Sequence, residues 1–102
     1  MVNTPAARLP GAQVTAVDLD ESRKPVAEAL GAGFARPEHA PRDADVVFHA
    51  SATSAGLNAA IACAGFEATI VEMSWYGDKA IEVNLGGAFH SRRLKLVASQ
   101  VA

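Results

Sequence analysis

Apolar positions fall along this chain in short blocks, each closed by a polar or glycine-containing stretch. Val14 to Val17 form the first clear block, and it stops at Asp18. Its nearly continuous apolar character predicts a strand over 13–18, buried on both faces as in a parallel sheet. Val26, Ala27 and Leu30 then repeat at i, i+1 and i+4. That spacing predicts a helix from Arg23 to Leu30, with Ser22 as its N-cap, Pro25 at its third position and Gly31 as its left-handed stop. A short strand is expected around 33–36, and 37–44, with Pro37, His39 and Pro41, as a surface loop. Asp45 to Ala50 form the second clear strand block. Leu57, Ile61 and Ala64, with Ala60 between them, predict a helix over 54–64, capped by Thr53 or Ser54 and ended by Gly65.

Ala68 to Met73 form a third strand block, with Ser74 to Gly77 as the loop at its C-terminal end. Ile81, Val83 and Leu85 alternate with Ala80, Glu82 and Asn84, which predicts a half-exposed strand over 79–85. A helical turn is expected at 88–92 and a last strand at 94–98. At the other end, Ala6 to Leu9 have the look of a final helical turn stopped by Pro10-Gly11, too short to stand alone. Strands alternating with helices make this an α/β chain, with a Rossmann-like parallel sheet and flanking helices.

An apolar strand that closes on an acid and feeds a helix is the second strand unit of a dinucleotide-binding fold, where the acid accepts the hydroxyls of the adenine-side ribose. Asp18 occupies that position, and Arg23, five residues on, can flank the same ribose; the alternative is that Asp18 and Asp20 only cap the helix. A carboxylate there favours NAD over NADP, since it repels a 2′-phosphate. Ser51, Thr53 and Ser54 follow a strand end, where a nucleotide crosses such a sheet, although helix capping alone explains one of them. Backbone groups at Met73–Trp75 could meet a nicotinamide amide, or Trp75 and Tyr76 could cover an apolar edge. The turn that normally cradles the pyrophosphate, Gly-x-Gly-x-x-Gly, does not occur in these residues.

Composition removes several function classes. At 102 residues the chain is expected to form one domain, and at 50% hydrophobic and 20% charged residues it is globular in character. A net charge of −2 gives no field favouring nucleic acid or an anionic membrane. Arg92, Arg93 and Lys95 read as a solvated strand entrance. Cys63, the sole cysteine, allows no internal disulfide and no thiolate zinc site, and reads as core filler. His39, His49 and His90 lie on unrelated elements, so no metal set emerges, and His49 reads as a satisfied buried histidine. Spacing nominates no Ser-His-Asp set. Without a signal-peptide pattern or an apolar run long enough to span a bilayer, the expected address is the cytoplasm.

With these residues in view, the chain resembles an internal piece of the medium-chain, zinc-type alcohol dehydrogenase superfamily from about Ala6 to Ala102. The likeness is carried by Val14–Asp18, Glu28–Ala32, Ala44–Ser51, Gly65–Met73 and Arg93–Gln100, in that order and spacing. It implies that Asp18 is the ribose acid and Arg23 its basic neighbour. It also implies that Ala50–Thr53 lie beside the cofactor and that the loop after Met73 approaches the nicotinamide. The family's first strand, its glycine-rich turn and its zinc-bearing substrate domain have no counterpart here. The chain is therefore expected to be a truncated, NAD-binding part of such an oxidoreductase, weak in cofactor binding, without zinc and without catalysis of its own. In the fold's strand order the first strand lies between the second and the fourth. Without it, two interior strands keep unpaired backbone groups at about 1–3 kcal/mol each. Two repairs are expected: 13–18 pairing directly with 45–50, or an element from a second copy. The latter belongs to the alternative reading, a non-enzymatic homodimer or partner-binding module.

Overall fold

The computed structural model describes residues 13–99, so the expected helical turn at 6–9 and its Pro10-Gly11 stop lie outside the described residues. The chain divides into two compact units, Met1–Pro41 and Arg42–Ala102.

In the N-terminal unit, strand β1 (Thr15–Val17) pairs in parallel with β2 (Gly33–Ala35). Between them run a 3₁₀ turn (Glu21–Arg23) and helix α1 (Lys24–Ala29). The cap differs from expectation. Asp20, not Ser22, opens the turn: its Oδ1 accepts from the Ser22 amide at 3.0 Å and from the Ser22 hydroxyl at 2.6 Å. A carboxylate accepts both donors at once, whereas a Ser22 cap would leave Asp20 unused. Gly31 does stop the helix, at φ +83. Burial is thinner than the pattern predicts. Val17 and Ala27 are buried, but Val26 and Leu30 remain 62% and 45% exposed, so the apolar stripe of α1 is only partly covered within the described residues.

The C-terminal unit is built on a three-stranded parallel sheet in the order β3-β4-β5, with β3 at Ala44–His49, β4 at Ala64–Glu72 and β5 at Lys95–Ala98. Helix α2 (Ser54–Cys63) crosses from β3 to β4, and Thr53 is its cap, accepting the Gly56 amide at 2.9 Å. Leu57, Ala60 and Ile61 are buried as expected, and with Val47 and Ile70 they form the core. Each fully buried aliphatic side chain contributes about 1.5–3 kcal/mol. Gly65 lies inside β4 rather than ending the helix. It is buried, and a Cβ there would come within 3.2–3.3 Å of the Asp43 backbone.

Residues 79–85 are not a strand. They run along α2 and are held by its side chains: the Glu82 amide donates to Ser54 Oγ and the Asn84 amide to Asn58 Oδ1, both at 2.9 Å, while Asn58 Nδ2 donates to the Glu82 carbonyl at 3.0 Å. The alternation holds for Ile81 and Val83, half-buried against exposed Glu82 and Asn84, but not for Leu85, which is 49% exposed. A helix supplies the hydrogen bonds that a neighbouring strand would have given. After helix α3 (Ala88–Ser91), Arg92 also departs from the solvated reading. Its Nη1 donates to the Ala64 carbonyl at 2.9 Å, where α2 ends and its carbonyls lack partners.

Within each unit the strands pair in parallel: β1 with β2 in the first, and β3 with β4 and β4 with β5 in the second. Parallel strands in two small sheets with flanking helices give an α/β, Rossmann-like arrangement. No helix among the described residues is long and apolar enough to cross a membrane.

Candidate functional site

Asp18 stands at the end of β1, where its amide still donates to the Ala35 carbonyl at 3.2 Å. Its Oδ1 accepts the Asp20 amide at 2.9 Å, which fixes the carboxylate at the mouth of the turn. Arg23 Nε lies 3.5 Å from Asp18 Oδ2 and 3.8 Å from Asp20 Oδ2, so the expected acid–base pair does form. Both partners are solvent-accessible, and such a pair adds little stability. Asp18 Oδ2 keeps lone pairs to offer to vicinal hydroxyls. The Ser22 hydroxyl and amide hold the Asp20 carboxyl below the usual carboxylate range. The residues fit a ribose. Nothing else in this unit's sequence supplies the glycine-rich turn that a pyrophosphate needs.

In the C-terminal unit the parallel register of β3 and β4 sets His49 opposite Glu72 at the strands' C-terminal ends. His49 is fully buried, and its Nδ1 lies 2.7 Å from Glu72 Oε2. Its Nε2 lies 2.6 Å from Ser51 Oγ, which in turn lies 3.1 Å from Thr53 Oγ1. Three groups donate to or share the carboxylate: the Ser74 amide reaches Oε1 at 2.8 Å, and the Tyr76 hydroxyl reaches Oε2 at 2.8 Å beside the imidazole. Burial pushes the Glu72 carboxyl up, but the hydrogen bonds from His49, Ser74 and Tyr76 outweigh it and leave the group below its ordinary value. Tyr76 moves the other way: burial, then its bond to the Glu72 carboxylate and that group's charge, push it up to about 12.

Donor accounting orients the chain of bonds around a neutral imidazole. Glu72 is ionised and only accepts, so the proton of neutral His49 sits on Nδ1 and Nε2 is left as an acceptor. In that state Ser51 donates to Nε2 and accepts from Thr53, whose own oxygen takes the Gly56 amide. Gly56 is required by this packing, because a Cβ there would overlap Ser51 Oγ and lie 2.8 Å from His49 Nε2. Ala52, between the two hydroxyl residues, is held at φ +56. Its amide donates to Ser74 Oγ at 3.0 Å and its carbonyl accepts from Lys79 Nζ at 2.9 Å.

The structure thus joins Asp18 to Arg23, and Ser51 to Thr53. Trp75 is 82% exposed and covers no apolar edge, while Tyr76 turns inward to Glu72. The sequence reading missed Glu72 and Ser74, set Tyr76 against an apolar edge rather than on Glu72, and treated His49 as core alone. The signal was available in part: a polar residue closes each of two apolar strand blocks, His49 and Glu72. Cys63 is buried as expected, and burial raises its thiol pKa, which keeps it protonated and inert. No group of three or more metal-ligating side chains occurs among the described residues.

No protein-family model matches the chain, and no curated protein sequence matches it. Among solved structures it is similar to 2R,3R-butanediol dehydrogenase from Bacillus subtilis, with a TM-score of 0.74 and 22% identity over 88% of this chain. The chain spans 29% of the length of that protein. At that identity the likeness is one of fold, and the fold is the α/β, Rossmann-like arrangement of part of a dehydrogenase.

Proposed function

We propose that the chain is a nicotinamide-cofactor-binding part of a zinc-type alcohol dehydrogenase-like oxidoreductase, with no hydride transfer of its own. The observation that carries this reading is the Asp18–Arg23 pair at the end of a parallel strand, on a fold similar to part of a butanediol dehydrogenase. A bound nicotinamide would supply the hydride chemistry. This chain's residues bind and orient: Asp18 accepts ribose hydroxyls, Arg23 flanks them, and Ser51, Thr53 and Trp75 are the remaining candidate contacts. Without a glycine-rich turn the pyrophosphate has no cradle of backbone amides, so NAD affinity is in the millimolar range. Calorimetry with NAD and with ADP-ribose tests this. Similar weak constants for both, weakened about tenfold by Asp18→Asn through loss of charge-assisted hydrogen bonds, support it. Micromolar NAD binding, or binding indifferent to Asp18, overturns it.

A second reading, a homodimer or partner-binding module, is favoured by β5. All four of its residues are exposed, Val97 by 50%, and an open strand edge is a pairing surface. Light scattering that gives a strict monomer at high concentration sinks the homodimer and counts against that reading without touching the first.

A further inference from the structure

We infer that Ser51, with His49 and Glu72, is an acyl-accepting nucleophile able to take the acyl group of a small activated ester. The inference rests on the C-terminal unit alone and goes beyond the nucleotide reading without depending on it.

Nucleophilic catalysis by a serine needs a base within hydrogen-bond reach of the hydroxyl and a third group that fixes the base's tautomer. Here Ser51 Oγ lies 2.6 Å from His49 Nε2, and His49 Nδ1 lies 2.7 Å from Glu72 Oε2. With the imidazole neutral, the order of donors is the productive one: the carboxylate accepts at Nδ1–H, and Nε2 is the acceptor for the serine proton. Glu72 is itself held, by the Ser74 amide and the Tyr76 hydroxyl. A histidine kept only to fill the core would find its acceptors in the interior. This one is fully buried, yet its Nε2 is directed at the hydroxyl of an exposed residue.

The setting is also suitable. Ser51 sits on the turn between β3 and α2, and Ala52 directly after it has a backbone conformation that costs a non-glycine residue about 1–2 kcal/mol. The hydroxyl lies against Gly56, in the first turn of α2. The Ser54 and Ala55 amides belong to that same turn and have no intrahelical acceptor.

In the reaction, Ser51 Oγ bonds to the ester carbonyl carbon as its proton passes to His49 Nε2. The bond from carbon to the leaving oxygen breaks, and the imidazolium returns the proton to that oxygen, releasing the alcohol. Water then attacks the acyl-serine by the same route, and the carboxylic acid and free serine are regenerated.

The experiment uses the full chain with p-nitrophenyl acetate, followed by peptide mapping, and in parallel with diisopropyl fluorophosphate. The expected result is acetyl and phosphoryl adducts on Ser51, with nitrophenolate release reduced about a hundredfold or more in Ser51→Ala. Ser51→Ala removes the partner of the buried His49 Nε2, so its fold is checked by circular dichroism, and Ser51→Thr, which keeps a hydroxyl, should retain labelling at residue 51. Glu72→Gln keeps an acceptor and the shape of the side chain; it slows labelling of Ser51 by about tenfold or more if the carboxylate orients the base. Adducts confined to His39, His90 or lysines, or a Ser51→Ala release rate equal to that of the parent chain, overturn the inference.

Discussion

The two units put polar groups to opposite uses. In the N-terminal unit the chemistry-bearing pair, Asp18 and Arg23, is solvent-accessible, and the unit's buried described residues are alanines apart from Val17. In the C-terminal unit the titratable pair is sheltered, His49 fully buried and Glu72 half-buried, and both are hydrogen-bonded. An exposed pair can be read, and replaced, at little cost to the fold. A buried pair is coupled to everything packed around it, so its removal is felt as stability first and chemistry second. The difference therefore predicts where the molecule breaks.

The widest contrast is in packing. Ile70 is fully buried, so Ile70→Ala should lower unfolding free energy by about 2–5 kcal/mol. Leu30→Ala, at a residue 45% exposed, should stay within about 0.5 kcal/mol or a little more. Urea unfolding of both variants checks this, and equal losses would break the distinction between the units. Next in size is Gly56→Ala. Its methyl group has to displace Ser51 Oγ or His49, at about 1–3 kcal/mol, although alanine is the better helix former.

What was legible in the sequence follows the same division. Asp18 and Arg23 are close in the chain, and local spacing brought them together. The apolar stripe of α2 and its Thr53 cap were also local, and both hold. His49 and Glu72 are joined only by the register of two parallel strands across an intervening helix, which periodicity does not encode. Residues 79–85 failed for a related reason. Alternation records which residues face inward, not what supplies the backbone bonds, and here Ser54 and Asn58 supply them. At the 3₁₀ turn that leads into α1, two polar residues competed for one cap, and the carboxylate of Asp20 won because it can accept both the amide and the hydroxyl of Ser22.

The buried pair also has a titration signature that the exposed pair lacks. The chain contains one tyrosine, so tyrosinate absorbance reads Tyr76 alone. It should titrate at about 12 rather than at the ordinary 10.0. Because the folded state holds that proton more tightly, the stability it contributes is complete below pH 10 and is lost as pH rises from there to about 12. Glu72 works in the other direction. Its folded carboxyl is lowered from 4.5, so its contribution is present above that pH and is lost as pH falls through the folded value. Glu72→Gln should flatten the acid limb and return Tyr76 toward its ordinary titration; an unmoved tyrosine would mean the hydroxyl does not depend on that carboxylate.

The smallest effect expected is at Ala52, and its sign is informative. Alanine at φ +56 carries a steric penalty of about 1–2 kcal/mol that glycine does not. Glycine in turn loses about 0.5–1 kcal/mol more entropy on folding. The net expectation for Ala52→Gly is a gain of about 0.5 kcal/mol in unfolding free energy, with the Ser74 and Lys79 bonds retained because both use the backbone of residue 52. The turn would then be relaxed but also less constrained. If the fixed backbone at this position holds Ser51 against His49, acetyl transfer to Ser51 should fall even as stability rises. A variant that gains stability and loses no reactivity would show that the serine is positioned by its hydrogen bonds to His49 and Thr53 and owes nothing to the strained residue beside it.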